Sequence, residues 1–289
     1  MRPWCLKTAI YLGKNLLLGG SLLLSNLLNT AFLAFAADEA PPRWAMLRRT
    51  CADFFKRMRQ IHQDSFYNDH RDLEEYTYFF GHYFDAAVSA LRAHEVWLDS
   101  GAGAGTALMQ YLEQYPAGGK VVGTGLRLKD ADRARWEEGR QRYPHRMSYQ
   151  VGPMEHGPPA RWQIFGEHYQ LITDVFGPIV YTHRPDRLVR RYGELLIPGG
   201  FLMLIIDVNN LLIVDRWKVR WPLQDWILAW RGFELVEDPL FFQASEAIFL
   251  PVILRRTFEE VAIPPLKPLM DCFQVGCPPQ RAFMWEDLL

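Results

Sequence analysis

Residues 96–106 read Val-Trp-Leu-Asp-Ser-Gly-Ala-Gly-Ala-Gly-Thr, an apolar run that closes on Asp99 and passes into Gly101, Gly103 and Gly105. A run this short, bounded by glycines, predicts a buried strand driving into a turn. Without a Cβ the backbone reaches positive φ and admits a ligand closely, and a helix starting at Thr106 would aim unpaired N–H groups at it. The loop therefore predicts a site for something anionic or polar. A dinucleotide fingerprint does not fit. Counted from Gly101, G-x-G-x-x-G needs a glycine where Thr106 stands, and no acid lies between Gly123 and Arg127, about 20 residues on.

The rest of the chain reads as an alternation. Residues 105–115 predict a helix, and Lys120 to Leu128 opens as a β-branched strand, Val121-Val122-Gly123-Thr124. A charged helix is expected over 130–143, a third strand over 148–151 and a fourth over 169–176. Strand, helix, strand implies parallel crossovers. A helix from about Pro185 to Leu196 runs into Pro198-Gly199-Gly200, read as a turn, and the continuous apolar run Phe201 to Ile206 suits a strand buried on both faces. A Trp-rich helical segment to Trp230, a strand over 232–236 and a final strand over 248–256 complete the series.

The pattern D-x-G-x-G-x-G after a strand, with this order of elements from Val96 to Thr257, resembles the class I S-adenosylmethionine-dependent methyltransferases. The resemblance implies an α/β fold: a Rossmann-like, seven-stranded, mostly parallel sheet with helices on both faces, its last strand antiparallel. Four segments are expected. Residues 1–37 are a signal peptide or membrane anchor, 38–95 a helical N-terminal cap, 96–257 the methyltransferase-like domain and 258–289 a Pro-rich tail wrapped over it. The implied activity is methyl transfer from S-adenosyl-L-methionine to a small-molecule substrate, the alternative being a degenerate member kept as a binding or scaffold module. A nucleotide-dependent oxidoreductase is disfavoured by the glycine spacing.

By the same resemblance Asp99, Gly101, Gly103 and Gly105 would line the methionine and ribose part of the donor. The acid that usually takes both ribose hydroxyls falls on Gly125. That leaves Asp130 or a backbone carbonyl to substitute, or a phosphate-bearing ligand drawn by Arg127. Gly152-Pro153-Met154-Glu155 stands where the adenine is read, with proline in the place of the usual acid, Met154 against the base and Glu155 toward its amine. Asp174, at the end of the fourth strand, is expected to touch the cofactor. With His183 it is also the candidate base. Methyl transfer is an in-line displacement that chiefly needs alignment and exclusion of water, so a base is optional. Plainer roles stand beside these: a turn acid for Asp99, a solvated loop for Glu155 and a helix cap for His183.

Two aromatic clusters are candidates for core or acceptor pocket. Tyr67, Tyr76, Tyr78, Phe79, Phe80, Tyr83 and Phe84 precede the first strand, and Trp217, Trp221, Trp226 and Trp230 are spaced for one helical face. Tyr76 and Tyr83 are the candidate donor-side contacts. Composition excludes other classes. A formal net charge of -1, more acidic once Arg2, Lys7 and Lys14 of the first 36 residues are set aside, does not suit a nucleic-acid backbone. Cys5, Cys51, Cys272 and Cys277 contain no C-x-x-C pair, so neither a zinc site nor a disulfide framework is expected; Cys272 and Cys277 would pair only in an oxidising compartment.

The Leu-rich stretch from Leu16 to Ala36 ends in Ala34-Phe35-Ala36, a small-x-small site, and leaves three readings open. It is an export signal cut near Ala36, an uncleaved anchor with the body facing the cytosol, or a stretch preceding a start at Met46. The cytosolic methyl donor favours a cytosol-facing body. The basic run from Arg43 to Gln63 is read as a solvated helix packed on the body, with a membrane-surface role as the alternative.

Overall fold

A computed structural model of the chain describes residues 71–125, 130–166, 168–208, 211–214, 220–221, 223–236, 242–244, 247–268 and 281–285. They fall in one unit, 55–289. The leader, the first part of the expected cap, Tyr67, Arg127, Trp217 and the four cysteines lie outside the described residues. Among those described, no helix is long and apolar enough to cross a membrane.

Two short helices, α1 (Leu73–Phe80) and α2 (His82–Ser89), precede the sheet. Asp72 starts α1 with a capping box: its carboxylate accepts the Glu75 N–H at 3.0 Å while the Glu75 side chain accepts the Asp72 N–H at 3.2 Å. There follow β1 (Val96–Ser100), α3 (Thr106–Gln114), β2 (Lys120–Gly125), α4 (Asp130–Arg142), β3 (Met147–Val151) and β4 (Tyr169–Val175). The chain continues with α5 (Pro178–Tyr181), α6 (Pro185–Leu195), β5 (Leu196–Asp207), β6 (Leu211–Val214), β7 (Arg220–Trp221), α7 (Leu223–Leu228), β8 (Phe233–Leu235), β9 (Phe242–Ala244), β10 (Ala247–Arg256), β11 (Leu266–Pro268) and β12 (Arg281–Trp285).

Seven strands lie in the order β3-β2-β1-β4-β5-β10-β8, and β9 pairs with the start of β10. The first five are parallel, while β10 runs antiparallel to both β5 and β8. This is the Rossmann-like, mostly parallel sheet expected. Strand alternation sorts the core into two layers. Trp97, Leu171, Met203, Ile205 and Ile253 face α1 to α4, and Leu98, Ile172, Leu202, Leu204 and Val252 face α6 and α7. The strand order reverses between β1 and β4, the place where open α/β sheets hold ligands at their carboxyl ends.

Three local readings differ from expectation. Pro198-Gly199-Gly200 is not a turn outside the sheet: β5 begins at Leu196 and carries these residues through a register shift opposite Tyr169 and Leu171. Trp221 lies in β7 rather than on a Trp-bearing helix, so α7 spans only Leu223–Leu228, and Trp226 and Trp230 pack edge to face at 4.8 Å in the core. The Pro-rich C-terminal stretch carries two strands. β11 and β12 join β6 and β7 in a second sheet, ordered β11-β12-β6-β7, whose Leu211, Ile213, Leu266, Phe283 and Trp285 belong to the α6 and α7 side of the core.

Candidate functional site

The glycine loop leaves β1 at the reversal point. Gly101, Gly103 and Gly105 all take positive φ, 87°, 53° and 74°, and Gly105 is the left-handed residue from which α3 starts. Two features explain why side chains are absent. A Cβ on Gly101 would stand 2.5 Å from the Gly177 Cα, because the loops after β1 and β4 meet backbone to backbone. A Cβ on Gly105 or on Gly123 of β2 would enter the indole of Trp136, at 2.5 and 2.3 Å. Trp136 comes from α4 and its Nε1 donates to the Gly103 carbonyl at 2.9 Å, so the underside of the loop is held by a buried ring.

The expected row of free N–H groups is corrected by the structure. Gly101 and Ala102 donate to the Thr124 carbonyl, Gly105 to Ala102, and Ala107, in the first turn of α3, donates at 3.1 Å to the carbonyl of Arg71. The chain itself satisfies part of what a ligand would have met. Arg71 also turns its guanidinium onto the loop, donating to the Gly101 carbonyl. Its Nε is buried and has no partner among the described residues.

Asp99 lies 1 % exposed between Gly123 and Thr173 in the sheet register. Thr173 donates to its Oδ1 at 2.7 Å and Tyr76 to its Oδ2 at 2.6 Å. Burial pushes its carboxyl above the ordinary range, while the Arg71 guanidinium and the two hydroxyls pull the other way. Burial works against the charge on Arg71, yet Tyr76 and Asp99 hold it above its ordinary value. Tyr76 itself is raised by burial and by the neighbouring Asp99 charge. The structure thus gathers Arg71, Tyr76, Asp99 and the loop into one polar cluster. Tyr83 instead stacks on His82, its ring 4.0 Å away.

Asp174 is 0 % exposed. Its Oδ2 accepts the Tyr192 hydroxyl at 2.6 Å and the Ile179 N–H at 2.9 Å, and Tyr192 lies 2.8 Å from Ser100 Oγ. Burial raises its carboxyl to about 7, against the hydroxyl and amide donors that lower it. The geometry makes Asp174 an anchor of the loop after β4 rather than a base open to an acceptor. Its neighbour Phe176 takes φ 51° and meets Phe249 and Phe79 edge to face at 4.7 and 5.5 Å. His183 is half-buried in the turn between α5 and α6.

At the other corner, Gly125 ends β2 beside Val151 of β3, and its carbonyl accepts the Gly152 N–H at 2.9 Å. The buried carboxylate in the first turn of α4 is Asp132, whose charge acts on Tyr149 of β3. Asp130 points outward in a 3.8 Å pair with Arg133, its side chain fully exposed. Met154 is buried in the core, and Glu155 accepts the Thr182 hydroxyl at 2.7 Å, which ties the loop after β3 to the end of α5. Two cavities, of about 430 and 680 Å³, flank the outside of α3, and neither is lined by the three loop glycines. Among the described residues no cluster of His, Cys, Asp and Glu is placed to hold a metal ion.

Arg71, Thr173, Trp136 and Tyr192 were not singled out from sequence. Trp136 carried a faint signal, a large aromatic in an otherwise charged helix. Arg71 carried none, because only folding brings it to a loop 30 residues away.

No protein family matches the sequence, and no curated protein does. Solved structures resemble part of it. An O-methyltransferase from a trans-AT polyketide synthase of Brevibacillus brevis, in complex with S-adenosyl-L-homocysteine, is 17 % identical over 56 % of this chain and 67 % of its own, with a TM-score of 0.40. A protein provisionally assigned as a sarcosine dimethylglycine methyltransferase from Galdieria sulphuraria is 12 % identical over 60 % of this chain and 82 % of its own, at 0.42. An rRNA methylase from Streptococcus thermophilus is 12 % identical over 60 % and 93 %, at 0.38. These similar structures are all methyltransferases. At such identities and scores the functional reading rests on the geometry of this chain.

Proposed function

We propose that the chain is an S-adenosyl-L-methionine-dependent methyltransferase, with the donor lying along the carboxyl edge of the sheet against Gly101, Gly103 and Gly105 and a small molecule as acceptor. One observation carries the reading. At the point of strand reversal a main-chain loop with three left-handed glycines runs over a buried carboxylate, Asp99, that is flanked by the half-buried Arg71, whose Nε is buried.

The residues present fit the amino-acid end of such a donor. Asp99 supplies a charge for an ammonium, and Arg71, its Nε unpartnered, one for a carboxylate. At the ribose end Gly125 offers only main chain. Bound there, the donor brings a methyl group already activated on a sulfonium. The chain has to align and exclude water, and for that it has the fixed loop, the Phe79, Phe176 and Phe249 cluster, and Asp174 holding the loop after β4. His183, in the turn that follows, is the residue left to take a proton where the acceptor needs one.

A second reading, a methyltransferase-like scaffold without activity, is favoured by Gly125 and Pro153, which remove two acidic contacts to the nucleoside. Each lost hydrogen bond to a charged acceptor weakens binding by roughly 1.5–3 kcal/mol. Calorimetric titration with S-adenosylhomocysteine separates the two. Micromolar binding that disappears in Gly103→Arg supports the enzyme, and no heat at millimolar ligand leaves the scaffold. The donor's cytosolic origin favours a body facing that compartment. Fractionation followed by N-terminal sequencing tests this against export with cleavage near Ala36.

A further inference from the structure

The corner that lacks an acid carries a guanidinium. Gly152, at the end of β3, takes φ 136°, and a Cβ there would stand 3.1 Å from Nη2 of Arg161 and 3.5 Å from the ring of Trp162. The same Gly152 donates its N–H to Gly125 at the end of β2. Arg161 is therefore packed against the main chain next to the place where a ribose carboxylate was expected.

Its side chain packs on a neighbouring ring. The guanidinium lies 5.2 Å over the fully buried Trp162 ring, whose Nε1 is 3.3 Å from the His156 carbonyl. The Arg161 N–H closes a tight turn on Pro158 at 3.1 Å. Arg191 of α6 holds the same loop by donating to the Gly157 carbonyl at 2.5 Å. Three carboxylates of the adjoining loops and α6 have partners of their own: Glu155 pairs with Thr182 at 2.7 Å, Glu194 with Arg191 at 2.8 Å and Asp186 with Arg184 at 3.1 Å. Arg161 remains exposed, and no carboxylate pairs with it among the described residues.

An acid at the end of the second strand accepts hydrogen bonds from a ribose diol, whereas an arginine in that neighbourhood accommodates a phosphate on the same hydroxyls. Arginine meets phosphate through two parallel N–H donors, and stacking on an aromatic pre-orients the fork. We propose that the corner formed by Gly125, Gly152 and Arg161 binds a phosphate ester on the ribose 2′ or 3′ hydroxyl of a nucleoside ligand. This rests on the carboxyl edge being a nucleoside site, not on methyl transfer, and it gives the edge a second ligand class.

The test is calorimetric titration of the full chain with adenosine, its 2′-, 3′- and 5′-monophosphates and S-adenosylhomocysteine. The 2′- or the 3′-monophosphate is expected to bind at least tenfold more tightly than adenosine. Arg161→Ala should erase that preference, Arg161→Lys keep part of it, and both leave S-adenosylhomocysteine binding within about twofold. Gly125→Asp should invert the order by favouring the free diol. The proposal is overturned if neither nucleotide exceeds adenosine, if Arg161→Ala leaves the preference intact, or if the 5′-monophosphate gains as much with the same dependence on Arg161. Binding of S-adenosylhomocysteine without a nucleotide preference sinks this proposal and spares the methyl-donor reading. Arg161-dependent nucleotide binding with no response to S-adenosylhomocysteine does the reverse.

Discussion

At the scale of single residues, Asp174 and Trp136 make the sharpest predictions. A carboxyl raised by burial binds its proton more tightly folded than unfolded, the opposite of the usual salt-bridged acid. Asp174 should therefore contribute stability below about pH 4 and lose it as the pH climbs to about 7, at up to ~1.4 kcal/mol per pH unit. In Asp174→Asn that descent should flatten, which urea unfolding across pH 4–8 will show. Gly123→Ala puts a methyl 2.3 Å from the Trp136 ring and 3.0 Å from the Ala102 Cβ. The expected cost is about 1–3 kcal/mol, and Trp136→Phe should relieve part of it in the double variant. Much of this was out of reach of the sequence. Asp99 and the loop glycines stood out because strand and glycine patterns are local. Neither the Arg71 contact with Gly101 nor the engagement of Asp174 by Tyr192 has a local signature, since each joins residues that only the closed sheet brings near.

At the scale of elements, α1 exists to deliver Tyr76. Its capping box at Asp72 and Glu75 fixes where the helix starts, and one turn later Tyr76 sits on Trp97, ring centroids 5.7 Å apart, with its hydroxyl on Asp99. Tyr76→Phe keeps the ring and leaves a buried carboxylate short of a donor, a loss of about 1–3 kcal/mol measurable by chemical denaturation. Asp72→Ala should cost about 1 kcal/mol through the cap alone. Helices and strands of the main sheet were legible because each shows its own period, 3.6 in Leu188, Val189, Tyr192 and Leu195, and a continuous apolar run in Leu202 to Ile206. The second sheet was not. Prolines at 264, 265 and 268 argued against regular structure, yet β11 is a short edge strand, a position that tolerates them, and β12 finds β6 across most of the chain's last third.

At the scale of the molecule, that second sheet is continuous with the main core. Phe283 is 1 % exposed in the same cluster as Leu188 and Leu204. Phe283→Ala should cost about 3–5 kcal/mol and lower one thermal transition by roughly 6–20 °C. A separate early transition would instead mean that the C-terminal strands melt on their own. The succession of the main strands along the chain was legible from sequence, and the mostly parallel sheet they form came with the resemblance that the glycine loop and this succession carry. The way the loops close over the sheet was not. Where Gly101 meets Gly177, a Cβ on the first would stand 2.5 Å from the second's Cα and one on Gly177 2.1 Å from the Ser100 carbonyl. Hydrogen is already the smallest substituent an amino acid can present, so this seam is at its minimum width. Any substitution at either position can only wedge the two halves of the rim apart, and variation here runs in one direction, toward a more open mouth.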